Sequence, residues 1–361
     1  MEKFLLASTA LVASTTFAFA EVNVSGTAEM GVFGASEDLF NDESDDIEDA
    51  DLQFHTDIDV IFTMAGETDA GLTFGAEVDL DDVINDNTVE TDIVLDRNDD
   101  GFITGTGTST GRTVFPATDD DSDDGGIVIF VDGAYGRLTM GDTDGGFDWA
   151  LEEAIIGGSL RDDHEHAGYN GNSGLDGTYD GQIARYEYAF GDFAVAASAE
   201  IDDDDDGEGD DPVLGIGARY SGEFAGVAFG AGVGYQGGAD VADDDDLVDS
   251  ADASVAGLSL SAKMDNGFQG IFNYSHYDDD LGGDADHYGV ALGYEFGAFL
   301  IAANYGTFDA DDEGAADAEG YGIVANYDLG GGAELQAGYG NNDVDGDEDY
   351  STYSFGIAMS F

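Results

Sequence analysis

The sequence predicts an all-β protein, a transmembrane antiparallel β-barrel of about 16 strands with short periplasmic turns and long acidic extracellular loops. Three observations lead to this prediction. Apolar residues recur at every second position along most of the chain, which is the period of a β-strand. Short turns and long connections alternate between the strands, which is typical of outer-membrane barrels. No stretch after residue 20 approaches the length of uncharged apolar sequence that a transmembrane helix needs.

The composition is strongly acidic but too apolar for a disordered chain. The 361 residues include 81 Asp and Glu against 8 Lys and Arg, a formal charge of −73, while 42% are hydrophobic and 11% aromatic. A chain with so many apolar residues can pack them when it folds. The few scattered bases cannot form a face that neutralises nucleic-acid phosphates. The absence of Cys excludes a disulfide scaffold, a thiolate metal site and a Cys nucleophile.

Residues 1–20 are predicted to be a secretory signal peptide that is absent from the mature protein. Lys3 gives a positive start, an apolar stretch follows from Phe4 to Phe17, and Ala18-Phe19-Ala20 is a small-x-small cleavage site. The alternative is a buried N-terminal helix. With the signal peptide removed, residues 21–361 are predicted to form a single exported barrel.

The alternation also predicts where each strand lies. In the stretch 52–80, one parity is apolar and the other mostly polar, and a slip of one residue in register would exchange the two sets. The same pattern predicts strands near 21–34, 51–65, 71–81, 126–132, 135–142, 182–190, 193–201, 212–220, 224–235, 251–264, 268–277, 287–296, 298–308, 319–329, 333–340 and 350–361. The short turns include Gly133-Ala134, Gly191-Asp192 and Ser221-Gly222-Glu223, and the long connections include 82–125 and 143–181.

We expect the apolar parity to face lipid and the polar parity to line a wet interior. Tyr and Phe concentrate near strand ends, which is typical of the aromatic girdles at the two membrane interfaces. For any one strand, a soluble β-sandwich would give a similar pattern. The interior parity carries nine acids, which are Glu29, Asp57, Asp59, Glu77, Asp79, Glu187, Glu200, Glu295 and Glu334. Rings of carboxylates attract cations and repel anions, so a pore with this lining is predicted to prefer cations.

The last strand resembles the C-terminal signature of bacterial outer-membrane barrels. Tyr353, Phe355, Ile357, Met359 and Phe361 alternate up to a terminal Phe. Together with the start at residues 21–26 and the stretch 135–142, the layout resembles the general porins, and most closely the 16-stranded alphaproteobacterial type. This resemblance implies a homotrimer of water-filled pores in the outer membrane of a Gram-negative bacterium. It also implies passage of small hydrophilic solutes and a third loop that folds inward as a constriction.

In this chain the third loop of that layout is the connection 143–181. Its acids are the candidates for one side of a constriction, and they are Asp144, Asp148, Glu152, Glu153, Asp162 and Asp163. The basic residues expected opposite them are few, and they are Arg137, Arg185, Arg219 and Lys263. The acidic motif common in enterobacterial members is absent. The less polar segment 147–156 predicts a short packed helix, whereas the alternative for the whole connection is a solvated external loop.

A second candidate site lies in the long connection 82–125. Asp96, Asn98 and Asp100, followed by Gly101 and Ile103, match the first half of a calcium-binding loop. Position twelve of such a loop is Gly107, where a bidentate Glu is expected, so a plain acidic turn is the alternative. Ca²⁺ on such external loops would also bridge them to neighbouring anionic lipopolysaccharide.

No arrangement of residues predicts an enzyme. The five histidines show no zinc-protease spacing, and no G-x-S-x-G sequence is present. We therefore predict a channel that requires no cofactor. The alternative from another class is a secreted, acidic, calcium-binding β-rich protein with a surface or binding role.

Overall fold

The computed structural model describes residues 21–36, 52–80, 95–97, 103–106, 126–179, 182–201, 211–241, 251–279, 284–310, 317–346 and 349–361. Sixteen strands form one closed barrel in which β1 pairs with β18, and all pairs are antiparallel. This confirms the predicted fold class. No helix in the described part of the chain is long and apolar enough to cross a membrane.

The barrel strands follow the predicted ones closely. They are β1 (Glu21–Ala35), β2 (Gln53–Glu67), β3 (Thr73–Asp79), β6 (Ile127–Gly133), β7 (Gly136–Asp142), β8 (Gln182–Phe190), β9 (Phe193–Glu200), β10 (Val213–Phe224), β11 (Val227–Val241), β12 (Ala251–Met264), β13 (Phe268–Asp279), β14 (Ala285–Phe296), β15 (Phe299–Ala310), β16 (Ala318–Gly330), β17 (Ala333–Val344) and β18 (Tyr350–Ser360). Two further strands, β4 (Leu95–Arg97) and β5 (Ile103–Thr106), form a separate two-stranded sheet.

That small sheet corrects the prediction of a connection without strands between residues 82 and 125. Leu95, Ile103 and the Thr residues of these short segments favour extended backbone, but the segments are too short to stand out from the acidic sequence around them.

The large apolar side chains are the exposed ones. On β14, Leu292 is 68% exposed, whereas His287 and Ala291, on the opposite parity, are each 1% exposed. Every second side chain of a strand points to the same face, so the outer face of the barrel is apolar and the inner face is polar. A soluble sandwich would bury the apolar set, so this arrangement rules out that alternative.

One predicted turn is wrong. Ser221-Gly222-Glu223 continues β10, which pairs with β11 as far as Phe224 and Val227. The turn lies at Ala225 and Gly226, whose φ values are 54° and 78°. Two consecutive left-handed residues make the tight hairpin turn that matches the strand twist. The prediction failed because Gly222, which signals a turn in sequence, is a small residue inside the strand.

In the residues that the structure describes, the barrel wall is low on one side. β3, β6 and β7 have 7 residues each, whereas β10 to β18 have between 11 and 15. The short strands are consecutive neighbours in the barrel, so the low part of the wall is continuous.

Candidate functional site

The third loop lies inside the barrel, against the wall, and residues 143–179 of it are described. Its outgoing leg, residues 146–161, follows the inner wall from β9 round to β1. Its return leg, residues 163–179, comes back along the same wall to β9, nearer the long-loop end. The alternative of a solvated external loop therefore does not hold for this segment.

Glycines on the inner face make room for the loop. A Cβ built on Gly217 would lie 1.9 Å from the carbonyl oxygen of Gly146, and one on Gly232 would lie 1.9 Å from that of Ala150. Contacts that short do not occur, so only glycine allows the loop backbone to approach so closely. Glycine recurring on the interior parity is a sequence signal that could have located this loop.

The outgoing leg is packed, as its apolar sequence predicts, but it is mostly not helical. Phe147 is fully buried, and Asp148–Ala150 forms a single 3₁₀ turn before the chain becomes extended. The backbone bonds to the wall instead, because Gly146 N donates to Ser198 Oγ (2.7 Å) and Glu152 N donates to Ser259 Oγ (2.9 Å). These partners take the place of helical hydrogen bonds.

Glu200 anchors the end of the return leg. It is 2% exposed, and its two carboxylate oxygens accept hydrogen bonds from the backbone N–H groups of Gly177 and Tyr179 (both 3.1 Å). Asp176 accepts a hydrogen bond from Gly145 N (2.6 Å), which joins the two ends of the loop. The prediction that Glu200 lines the lumen is therefore corrected, because the loop covers it.

Three arginines are held face-on to aromatic rings. Cation–π contacts of this kind fix the guanidinium plane while its charge remains. They join Arg137 to Phe130 (4.0 Å from ring centre), Arg161 to Phe33 (4.2 Å) and Arg219 to Trp149 (3.9 Å).

Arg161 was missed by sequence reasoning, although it is the one base in the third loop. It lies where the loop reverses, and Arg161 and Asp162 have positive φ values of 54° and 47°. Such backbone is costly for residues other than glycine and is found at sites held by their surroundings.

The other two predicted bases are paired with carboxylates. Arg185 Nη1 lies 3.6 Å from Asp144 Oδ2 and also donates to the Asp144 carbonyl oxygen. Lys263 Nζ lies 2.7 Å from Glu295 Oε2, and Lys263 is four residues after Ser259 on β12, next to the short turn that leads to β13. Lys263 is therefore at the periplasmic rim and not beside the third loop's backbone.

The acids of the third loop divide into buried and lumen-facing groups. Asp163 is 5% exposed, so it does not face the lumen as predicted. Asp144, Glu152 and Asp162 are exposed to the lumen, and Glu153 is partly exposed.

Two loop carboxyls have strongly raised pKa values. Burial, followed by the nearby charges of Asp144, Asp176 and Glu153, raises the pKa of Asp148 to about 8. Burial and then the charges of Asp162 and Glu153 raise the pKa of Glu165 to about 8. Glu165 was not among the sequence candidates, because its position between two histidines gave no sign of which way it would face.

The wall beside the loop reversal is acidic. We call the inner faces of β2, β3, β6 and β7 the open wall, because the described contacts of the third loop lie on other strands. The carboxylates of β2 and β3 on this wall are Asp57, Asp59, Glu77 and Asp79. The charge of Asp57, after burial, raises the pKa of Asp162, which places this carboxylate pair at the gap between the loop and the wall.

The remaining predicted acids also lie on inward positions. Glu29 is 3.5 Å from His55 Nε2, Glu187 is opposite Arg137 in the β7–β8 register, and Glu334 accepts a hydrogen bond from Gln336 (3.1 Å).

The predicted calcium site falls mostly outside the described residues. Asp96 lies in β4, but its side chain is not described, and Asn98 and Asp100 are outside the described residues. Elsewhere in the described ranges, no three His, Asp or Glu side chains are grouped as metal ligands. The calcium site and the contact with lipopolysaccharide stay predictions.

Comparison with known proteins agrees with this architecture. The Gram-negative porin family matches residues 7–347. A porin of Rhodobacter capsulatus is 27% identical over 355 residues, covering 90% of this chain and 95% of that protein. A solved porin structure, 22% identical, superposes with a TM-score of 0.64 over 94% of this chain and 100% of its own. A loop L8 deletion mutant of OmpT, an outer membrane protein of Vibrio cholerae, gives a TM-score of 0.58 at 13% identity, over 95% of this chain and 99% of that one.

Proposed function

This chain belongs to the Gram-negative porin family and is an outer-membrane channel protein, and from that premise we propose that it forms a water-filled pore that prefers cations. Small hydrophilic solutes and ions would cross it by passive diffusion. The alternative of a secreted, soluble β-protein has no support, because the apolar parity faces outward.

The observation that carries the proposal is the acidic lining of the lumen, both on the third loop and on the open wall. On the loop side, Glu152 and Asp162 are exposed, and beside the reversal lie Asp57 and the other carboxylates of the open wall. The barrel wall and the lipid around it have a low dielectric constant, so these charges act over the whole width of a narrow passage. A cation is concentrated there and an anion is repelled.

The arginines reduce this preference without reversing it. Arg137 lies on the open wall, Arg161 lies at the loop reversal, and Arg185, on the neighbouring β8, is already paired with Asp144. Acids on β2 and β3 therefore outnumber the bases beside them, and the net field at the passage favours cations.

The reversal potential of single channels in a tenfold KCl gradient tests the proposal. A sign that indicates K⁺ selectivity supports it, and a zero or Cl⁻-selective value would refute the cation preference. Conductance that does not rise with bulk electrolyte concentration would refute the water-filled pore itself.

We also propose that the low wall is covered by other copies of the chain in a homotrimer. Seven residues rise about 23 Å along a strand and span about 18 Å at a tilt of about 40°, less than the apolar band of about 25 Å. The outward side chains there include Ile129, Leu138 and Met140, which are 57%, 43% and 53% exposed. A neighbouring copy would cover the strands that are too short to span the apolar part of the membrane, and it would bury this apolar surface.

Single cysteines test this arrangement, since the chain has no native Cys. Met140→Cys should give crosslinked oligomers with a short bifunctional maleimide in outer membranes, and Ile323→Cys, on the far side of the barrel, should not. Equal crosslinking at both positions, or none at Met140→Cys, would count against the homotrimer contact.

A further inference from the structure

Two buried histidines bond the backbone of one residue of the return leg, Gly168. His166 Nδ1 accepts a hydrogen bond from the Gly168 N–H (3.2 Å), and His287 Nε2, on β14, donates one to the Gly168 carbonyl oxygen (3.0 Å). His166 is 6% exposed and His287 is 1% exposed. We call these two histidines and Gly168 the histidine clamp.

The clamp fits closely against the wall. A Cβ on Gly320 would lie 2.7 Å from His166 Nδ1, and one on Gly306 would lie 3.4 Å from His166 Cε1, so the imidazole occupies the gap that these two glycines leave. Next to the clamp, His164 links the two legs, because its Nδ1 is 2.8 Å from Ser159 Oγ. Imidazole hydrogen bonds thus join the return leg to the outgoing leg at His164 and to β14 at His287.

A proton on either clamp histidine is unfavourable while the leg is docked, for a different reason at each residue. A proton on His166 Nδ1 would face the Gly168 N–H, and two donors cannot bond each other. His287 Nδ1 is buried without a hydrogen-bond partner, so a proton added there would be a buried donor and charge with no acceptor.

The groups around the clamp do not offset such a charge with an ion pair. The titratable side chains of the loop nearby are Glu153, Asp163, Glu165 and Tyr169, and β13 contributes Tyr277. The ionisable neighbours of the clamp on β14, β15 and β16 lie on the outer face, and they are Asp286, Tyr305 and Glu319. In the described structure the salt bridges to histidine involve only His55 and His276.

We propose that His166 and His287 are positioning residues: when neutral they hold the return leg against the wall, and when protonated they release it into the lumen and narrow the pore. The direction follows from the geometry. The wall lies behind the return leg, and Glu200 and Gln236 fix the leg beyond Gly174. A released segment can therefore move only inward. This proposal rests on the proposed function, because it needs a conducting pore.

The pH range follows from burial. Burial, and then the charges of His287 and His164, lower the pKa of His166 to about 4 from its usual 6.5. The contribution of His166 to the stability of the docked leg is therefore complete above pH 6.5 and is lost as the pH falls toward 4. At acid pH, protonation of His166 alone raises the equilibrium constant for release of the leg by up to roughly 300-fold.

The test is single-channel conductance between pH 7.5 and 3.5 in 1 M KCl, where exposed charges are screened over about 3 Å. The wild-type channel should lose about half its conductance or more as the pH falls through the transition. His166→Asn combined with His287→Gln keeps an acceptor and a donor at the clamp but cannot titrate, so this variant should conduct at pH 3.5 as it does at pH 7.5. His276→Gln, an exposed histidine on the outer face, is the control and should behave as the wild type.

Three results would overturn the proposal: no acid transition in the wild type, the same transition in the clamp variant, or its loss in the control. A channel that fails to conduct at pH 7.5 in its wild-type form would instead refute the proposed function.

A disulfide provides a test that does not alter the clamp. Ala167 N donates to Asn342 Oδ1 (2.7 Å), so Ala167→Cys with Asn342→Cys should tie the return leg to β17 in a chain without other cysteines. The oxidised channel should keep its conductance at pH 3.5, and reductant should restore the acid narrowing. Acid narrowing of the oxidised channel would contradict release of the leg.

Discussion

The guanidinium carbon of Arg219 lies 3.9 Å above the centre of the Trp149 ring, and Arg219 Nη1 donates to the Trp149 carbonyl oxygen (3.2 Å). One wall side chain thus holds both the ring and the backbone of the third loop, near the point where the loop enters the barrel. Its positive charge also remains in the lumen. Arg219 therefore affects both the position of the third loop and the ion preference of the pore.

Removing that charge should strengthen the cation preference. We expect Arg219→Gln to raise the K⁺/Cl⁻ permeability ratio by roughly twofold at low ionic strength, where the field of one lumen charge is weakly screened. Trp149→Phe keeps an aromatic ring and all charges, so its ratio should stay at the wild-type value. Reversal potentials measure both, and an unchanged ratio in Arg219→Gln would count against a field set by these side chains.

Adding a side chain under the loop should displace it into the lumen. Gly232→Val places a Cβ where the Ala150 carbonyl oxygen lies, and the barrel wall cannot yield by that much. We expect a folded, heat-modifiable barrel whose conductance falls by about half or more. Gly171→Ala, whose Cβ would meet only Tyr169 at 3.8 Å, is the matched control. Normal conductance in Gly232→Val would show that the loop does not set the width of the pore.

Ion preference should change with pH above neutrality. The pKa values of Asp148 and Glu165 are raised to about 8, so both are largely neutral at pH 7 and become negative as the pH rises through 8. The K⁺/Cl⁻ permeability ratio should therefore increase between pH 7 and 9. In Asp148→Asn with Glu165→Gln this increase should disappear, and an undiminished increase would assign it to other groups.

The same two carboxyls should weaken loop docking at alkaline pH. A carboxyl whose pKa is raised on docking stabilises the docked state below its ordinary pKa, and this contribution is lost as the pH rises through the raised value. Protease cleavage within the third loop should be faster at pH 9 than at pH 7, and in the double variant it should depend less on pH.

Glu200 should matter more for stability than an exposed lumen acid. Glu200→Gln keeps one acceptor oxygen but turns an amide N–H₂ toward the other backbone donor, Gly177 N–H or Tyr179 N–H, and should cost about 1–3 kcal/mol of unfolding free energy. Glu295→Gln, at a half-exposed pair with Lys263, should cost less than about 1 kcal/mol. Urea unfolding in lipid vesicles measures both, and equal costs would contradict the anchoring role.

The sequence was sufficient for what depends on local pattern. The alternation of apolar and polar residues correctly predicted that Leu292 faces outward and His287 inward. Every second side chain of a strand lies on the same face, so it is enough to know which of the two sets is apolar. Strand ends were predicted well where a turn containing glycine bounded them. They were predicted poorly at Ser221-Gly222-Glu223, because Gly222 lies inside β10.

Parity could not separate inward residues that face water from those under the loop. Asp57 and Glu200 share the inward parity, yet one borders the open passage and the other is covered by Gly177 and Tyr179. The course of the third loop decides this, and it depends on contacts between residues more than one hundred positions apart, such as Asn273 with Glu152. Arg161 and His166 were missed for the same reason.

The most direct test of the acidic lumen is the reversal potential in a 0.1 M to 0.01 M KCl gradient, measured for the wild type and for Asp57→Asn with Glu77→Gln. At these salt concentrations the Debye length is about 10–30 Å, so the wall charges act across the passage. We expect a clearly K⁺-selective wild-type channel whose selectivity falls in the double variant. A Cl⁻-selective or unselective wild type, or a double variant as selective as the wild type, would contradict it.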